Sequence, residues 1–258
     1  LRAIQTQSPN FIWEHIHANT DTSHIHAKCV VHAEGGLFKT QDWVESGRDY
    51  EQSALVGLVE VENATPHQAW ERFTSEGPLA VLPSHYGPNI LNLVWCGTPS
   101  SSQARLALSD AEFLKSLQAE FGSRIGQFLK IQDRRLYELG LNYRKEITQG
   151  NEVWIGNAAQ ALHPVAGQGL NLGLRDADVL ARLLARDCSP AALSQFIQAR
   201  QHDRKLTMHL TDVMARVFTS SPDHSWSQIL LGLGLGCIDA FKPVKKQLAE
   251  QMMFGWRG

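Results

Sequence analysis

The stretch Val153-Trp154-Ile155-Gly156-Asn157-Ala158-Ala159-Gln160-Ala161-Leu162-His163-Pro164-Val165-Ala166-Gly167-Gln168-Gly169-Leu170-Asn171-Leu172-Gly173 decides how this chain is read. Val153 to Ile155 form a short apolar strand. A polar turn follows, in which Pro164, Gly167 and Gly169 break regular structure and let the backbone approach a neighbour closely. Helical spacing then begins, and Leu170, Leu174, Ala177, Ala181 and Leu184 fall on one apolar face. A helix that opens after such a turn presents unpaired amides and the positive end of its dipole. That arrangement suits an anion, or a ring that must hold negative charge. A lone Gly-x-Gly is an ordinary connection; the information here lies in the whole ordered string.

Working outward, residues 11–17 and 27–33 read as strands. Between about 49 and 140 the pattern changes to apolar runs at Ala54–Val61, Leu79–Leu82 and Ile90–Trp95, separated by turns at Asn63–Pro66 and His85–Pro88. Ser109 caps a predicted helix that runs to Phe121, with Phe113, Leu114 and Leu117 on its apolar side. Ser189-Pro190 opens a further helix that extends to Phe218, with proline at its first position. The expected organisation is α/β (α+β), with segments 1–48, 49–140, 141–188 and 189–258.

Composition narrows the function classes. The 258 residues are 43% hydrophobic and 19% charged, as in a folded globular protein. A net charge of -2 offers no basic stripe for nucleic acid. Cys29, Cys96, Cys188 and Cys237 lack zinc or CxxC spacing, so they read as thiols in a reducing cytoplasm. His15/His17 and His24/His26 alternate as in strands, but no acidic or cysteine partner accompanies them, and no metal is expected.

The 156–173 string resembles the second flavin-binding motif of the FAD-dependent aromatic hydroxylases. Their pattern is G-D-A-A-H, three residues, P, two residues, G-x-G-x-N, then a helix with Asp-Ala. Gly156-Asn157-Ala158-Ala159-Gln160 and His163-Pro164-x-Ala166-Gly167-Gln168-Gly169-x-Asn171-Leu172-Gly173 look most like the branch that hydroxylates polyprenylphenols in ubiquinone biosynthesis, the 2-polyprenyl-6-methoxyphenol hydroxylase type. Asp49-Tyr50-x-Gln52-Ser53-Ala54, Ala69–Phe73 with Gly77–Pro83, and Phe196, Arg200, Asp203, Thr211-Asp212 and Val217-Phe218 extend the resemblance from about Lys28 to the end.

The resemblance implies an incomplete Rossmann-like FAD-binding domain with an inserted β-sheet substrate domain and C-terminal helices. It places FAD against Gly156, Asn157, Pro164, Gly167, Gln168, Gly169, Leu170 and Asn171, with Glu34 as a further contact. Leu79, Val81, Leu82 and Trp95 become candidate substrate walls. Glu34-Gly35 stands where the wider family has Asp-Gly, so Glu34 reads equally as a solvated turn residue. Asn157 replaces a common Asp and keeps a hydrogen-bond acceptor without its charge. The family's opening G-x-G-x-x-G turn is absent from this sequence. The chain is therefore expected to be the remainder of a longer parent and to bind FAD weakly, or be inactive, by itself.

The function implied is monooxygenation of a polyprenylated phenol ring, with NAD(P)H as reductant. Alternatives are hydroxylation of a soluble aromatic, or a non-catalytic scaffold subunit that binds a quinone precursor. No catalytic residue is named, because the phenol activates its own ring; His163 reads as a structural hydrogen-bonding residue. The apolar Ile229–Phe241 stretch, followed by Lys242, Lys245 and Lys246, is too short to span a bilayer, which takes about 20 residues. It reads either as a peripheral membrane contact, beside a ubiquinone-biosynthesis complex, or as a packed helix hairpin. The localisation that follows is cytoplasmic with membrane association.

Overall fold

The computed structural model describes residues 26–35, 46–219 and 240–255, with isolated positions 8, 10, 12, 14 and 236. The expected strand at 11–17, the His15/His17 pair, His24, Cys237 and the tail at 229–235 lie outside the described residues.

Two sheets organise the described chain. Strand β1 (Val30–His32) pairs parallel with β8 (Glu152–Trp154), which pairs antiparallel with β7 (Thr148–Gln149). The larger antiparallel sheet has the order β3 (Trp70–Thr74), β4 (Gly77–Pro83), β5 (Ile90–Gly97), β2 (Ser46–Val61), β6 (Phe128–Tyr143) and β9 (Gln160–Ala161). A sheet is therefore present where the sequence places its strand runs, including the hairpin that pairs Trp70 with Val81 and Thr74 with Gly77. Strands β2 and β6 are 16 residues each and run unbroken through the expected segment boundaries near 48 and 140. At their far end β6 pairs with β9, inside the deciding stretch, through Asn142–Ala161 and Tyr143–Gln160.

Period-two alternation gives the large sheet two unlike faces. Leu55, Val59, Leu79, Val81, Leu91, Leu93 and Trp95 share one face and are buried. They pack beneath helix α2 (Asp110–Phe121), which contributes Phe113, Leu117 and Phe121. Ser109 caps that helix in a capping box with Glu112, as its sequence predicts. Helix α1 (Pro99–Ala107) precedes it, capped by Thr98 with proline in the first turn. The opposite sheet face carries Ala54, Val56, Leu58, Ala80, Leu82, Asn92 and Val94.

Helix α3 (Gln168–Leu184) corrects the expected apolar face. Leu170 is 73% exposed and Leu174 59%, and Ala177 and Ala181 are exposed too; of the expected set only Leu184 joins a core cluster. The buried face is instead Leu172, Asp176 and Leu180, against helix α4 (Pro190–Thr219) and the turn at Gly156–Ala158. The reason is electrostatic. Asp176 meets Arg200 of α4 at 2.7 Å, so a paired charge occupies a position that hydrophobic periodicity assigns to solvent. The final helix, α5 (Lys242–Phe254), rests its C-terminal end on α3, where the Met252 carbonyl accepts from Arg175 at 3.4 Å and Asn171 at 3.5 Å.

Candidate functional site

The parallel strands β1 and β8 end together: His32 is opposite Trp154, and the Ile155 amide donates to the His32 carbonyl at 3.0 Å. Ligands in α/β proteins collect beyond such carboxyl ends. Glu34 follows β1 there, 63% exposed at its side chain and 3.8 Å from His32 Nδ1. Asn157 follows β8 at the same end and is exposed. The structure thus brings Glu34 to the edge where the deciding stretch begins.

Gly156 opens a 3-10 turn through Ala158, whose inner side packs on α3 by backbone contact. A Cβ built on Gly173 would sit 3.2 Å from the Gly156 Cα. Gly173 leaves no side chain between helix and turn, and Gly156 has φ +56, a conformation that favours glycine. Gln160 then donates to Asp176 at 3.1 Å and accepts from Arg204 Nε at 2.6 Å. Arg204 also donates to the carbonyls of Arg144 and Ala159. Burial lowers the Arg204 pKa, while Asp176 and then Tyr143 oppose that shift. Arg200 Nη2 approaches Asp203 to 2.6 Å, and Asp203 also holds Arg175 at 2.8 Å. These pairs clamp the deciding stretch between α3 and α4.

His163 is buried, and its surroundings fix its proton. The Val165 amide donates to Nδ1 at 3.1 Å, so Nδ1 accepts and the proton sits on Nε2, 2.8 Å from Gln52 Oε1. Burial pushes the imidazole pKa down to about 4. A neutral ring bonded at both nitrogens fits a structural role and has no lone pair to spare for proton transfer. Tyr50 meets it edge-on at 5.3 Å and donates to Asp212 at 2.9 Å. That hydrogen bond and the tyrosine's burial both raise the phenol pKa, burial more strongly.

Pro164 leads into a second 3-10 turn, Val165–Gly167, whose inner side is held by the fully buried Val165 beside Tyr50, Leu141 and Ala215. Gly167 adopts φ +61, a conformation that costs other residues strain, and it becomes the N-cap of α3. Helices α1 and α2 are capped by the side chains of Thr98 and Ser109, but no side chain caps α3. The first turn of a helix leaves amides that its own carbonyls do not reach, here those of Gly169 and Leu170. Among the described residues, a Cβ on Gly169 would meet nothing within 4 Å. The chain itself therefore does not need glycine at 169; the space over that backbone is left open. Uncapped amides, the positive end of a 17-residue helix and a vacant approach fit an electron-rich ring edge such as that of a flavin.

The expected substrate walls divide. Leu79, Val81 and Trp95 lie in the packed core under α2, with Trp95 edge-on to Phe113 at 5.8 Å. Leu82 is on the other face and 39% exposed. Sequence reading could not assign these faces, because strand alternation shows which residues point together but not which side a helix covers. It also gave no role to Gln52, Tyr50 or Asp212; Tyr50 and Gln52 lie in a quoted motif but at a bulge, where alternation fails.

A family profile described as FAD binding domain matches residues 14–214. Ubiquinone hydroxylase UbiL of Rhodospirillum rubrum is 31% identical over 244 residues, covering 91% of this chain and 56% of that protein. The 3-demethoxyubiquinol 3-hydroxylase of Escherichia coli is 30% identical over 187 residues, 70% of this chain and 47% of that one. Human ubiquinone biosynthesis monooxygenase COQ6 is 25% identical over 280 aligned residues, 92% of this chain and 59% of its own. The chain thus spans about half the length of the relatives it matches. Among solved structures, the aromatic hydroxylase CabE of angucycline biosynthesis superposes with a TM-score of 0.60 at 19% identity, over 87% of this chain and 46% of that one. HpxO of Klebsiella pneumoniae, complexed with FAD and uric acid, gives 0.58 at 17% identity, over 78% and 55%. These two share the fold. Since the profile takes in well over half of the 258 residues and includes the whole strand, turn and helix described above, the chain belongs to the FAD binding domain family.

Proposed function

We propose that this chain supplies the isoalloxazine-facing half of an FAD-dependent monooxygenase that hydroxylates the ring of a polyprenylated phenol in ubiquinone biosynthesis. The observation that carries the reading is the start of α3 at Gly169–Leu170, where no side chain caps the helix and, among the described residues, nothing stands over Gly169. The names of the relatives support the substrate class. Bound FAD, reduced by NAD(P)H, would supply oxygen activation and transfer.

This chain's residues would do the rest. The amides of Gly169 and Leu170 stabilise negative charge at the pyrimidine edge without a charged side chain. Asn157 and Glu34, at the shared strand end, are placed to hydrogen-bond a ribityl or ribose hydroxyl. Pro164 and Asn171 flank the amide end on either side. The phenol lies against the sheet face opposite α2, where Val56, Ala80, Leu82 and Val94 exclude water from the reacting region. His163 holds the loop and takes no proton.

Peripheral membrane contact also belongs to this reading. Helix α5 exposes Phe241, Val244, Leu248 and Phe254 beside Lys242, Lys245 and Lys246, which suits an anionic lipid surface. No described helix is long and apolar enough to cross a membrane. The test uses the full-length protein: visible flavin absorbance after purification, then mass spectrometry for a gain of one oxygen in a short-chain 2-prenyl-6-methoxyphenol. A colourless protein that cannot be loaded with FAD would overturn the proposal. Flavin turnover only with water-soluble phenols would replace the substrate class.

A further inference from the structure

Strand β2 departs from regular pairing where it passes the cofactor loop. Asp49 is opposite Gly140 but Gln52 is opposite Leu139, so Tyr50 and Glu51 form a bulge. Glu51 takes φ +52, and its amide donates to Asp49 Oδ1 at 2.9 Å, fixing the distortion. Tyr50 and Gln52 are both buried as a result.

The Gln52 carboxamide then works in two directions. Its Nε2 donates to the Glu76 carbonyl at the tip of the β3–β4 hairpin, at 2.6 Å. That position exists because residue 77 is glycine: a Cβ there would stand 3.0 Å from Gln52 Nε2. Its Oε1 accepts from His163, whose other nitrogen accepts from the Val165 amide. Val165 is the first residue of the turn that delivers the amides of Gly169 and Leu170. An unbroken line of three hydrogen bonds, the two at His163 buried, therefore joins the hairpin tip to the cofactor loop. Buried amide and imidazole groups cost desolvation that an apolar filling avoids, and a local cap for Val165 needs His163 Nδ1 alone. The Gln52 link is extra to both packing and capping.

We propose, resting on the flavin reading above, that the Gln52–His163 pair is a positioning relay through which movement of the inserted sheet at the β3–β4 hairpin resets the Val165 amide and the loop that faces the flavin. Occupancy of the sheet by an aromatic substrate is thereby felt at the isoalloxazine. Neither residue touches the reacting atoms; both are positioning residues. The neighbouring Tyr50–Asp212 bond, with Arg48 at 3.5 Å and Arg216 at 3.1 Å from Asp212, anchors β2 to α4 on a separate branch.

Two variants of the full-length protein cut the line from either side: Gln52→Leu removes the acceptor for His163, and His163→Asn keeps an acceptor near Nδ1 for Val165 but no longer reaches Gln52. Amide hydrogen exchange, which needs no flavin, should show Val165 protection falling roughly tenfold in both, because each frees residue 163 from the sheet. With FAD bound, a short-chain 2-prenyl-6-methoxyphenol should perturb the flavin absorbance of the unsubstituted protein. That perturbation should vanish in both variants while flavin itself stays bound. Unchanged Val165 exchange, or an undiminished difference spectrum, in either variant overturns the relay. Failure of the unsubstituted protein to take up FAD overturns the cofactor reading instead, and the exchange experiment still decides whether the line is mechanically connected.

Discussion

Acidification should destabilise this protein through one imidazole. In the unfolded chain a histidine titrates near 6.5, whereas His163 in the fold is pushed down to about 4. Above 6.5 the ring is neutral in both states and contributes no pH dependence. Below 6.5 the unfolded chain takes up a proton that the folded chain refuses, so stability falls as pH falls and levels off below about 4. The loss is about 1.4 kcal/mol per pH unit across that window, hence about 2 kcal/mol by pH 5 and about 3 kcal/mol in all. Against a typical domain stability of about 5–15 kcal/mol this is a large share. The cause is burial, which penalises the charged ring, and a proton added at Nδ1 would also have to face the Val165 N–H donor. Urea unfolding of the unsubstituted protein and of His163→Asn, from pH 7.5 to 5, measures it. The variant should be less stable at pH 7, by about 1–3 kcal/mol for disturbed buried hydrogen bonds. The gap should narrow by about 2 kcal/mol by pH 5, because the variant lacks the titrating ring. A gap of constant size over that range would refute the reasoning.

Other outcomes are equally direct. Gly169→Ala places a methyl in open space at a helical position, so the flavin-free fold should gain up to about 1 kcal/mol in thermal unfolding while FAD affinity in the full-length protein collapses; unaltered flavin binding by fluorescence titration would show that the space is not used. Arg200→Leu strands Asp176 and Asp203 with one cationic or polar partner fewer each, and should cost about 3–5 kcal/mol in urea unfolding. Ser109→Ala removes one half of the α2 capping box, for a loss of about 1 kcal/mol by thermal denaturation.

How far the sequence could be read depended on the kind of force involved. The cap at Ser109, the strand runs of β4 and β5 and the glycine turn were legible because each rests on local chemistry. Helix α1 carried an overlooked signal of the same kind, Thr98 followed by Pro99. Strand β6 did not announce itself: its partly exposed pattern and the bulge at Asp133, φ +53, interrupt the alternation that strand reading depends on. The buried side of α3 was misread because Asp176 and Arg200 satisfy each other only when distant segments meet. The same holds at the candidate site. Gly156, Gly167 and Gly169 were visible as a string, but Gln52 lies 111 residues from His163 and enters the site through a bulge. Of the substrate walls, only Leu82 faces away from the helix-covered core.

The contact between Gly156 and Gly173 carries a constraint that reaches beyond stability. Main chain rests on main chain there, with no side chain between to rotate aside or be swapped for a smaller one. The elbow after β8 and the first two turns of α3 must therefore travel as a single lever. A bulkier residue at Gly173 would pry them apart at the fulcrum, and at Gly156 the left-handed backbone disfavours any other residue. The span from Asn157 to the amides at 169 and 170, which fixes how long a ligand can bridge the two, would then lengthen.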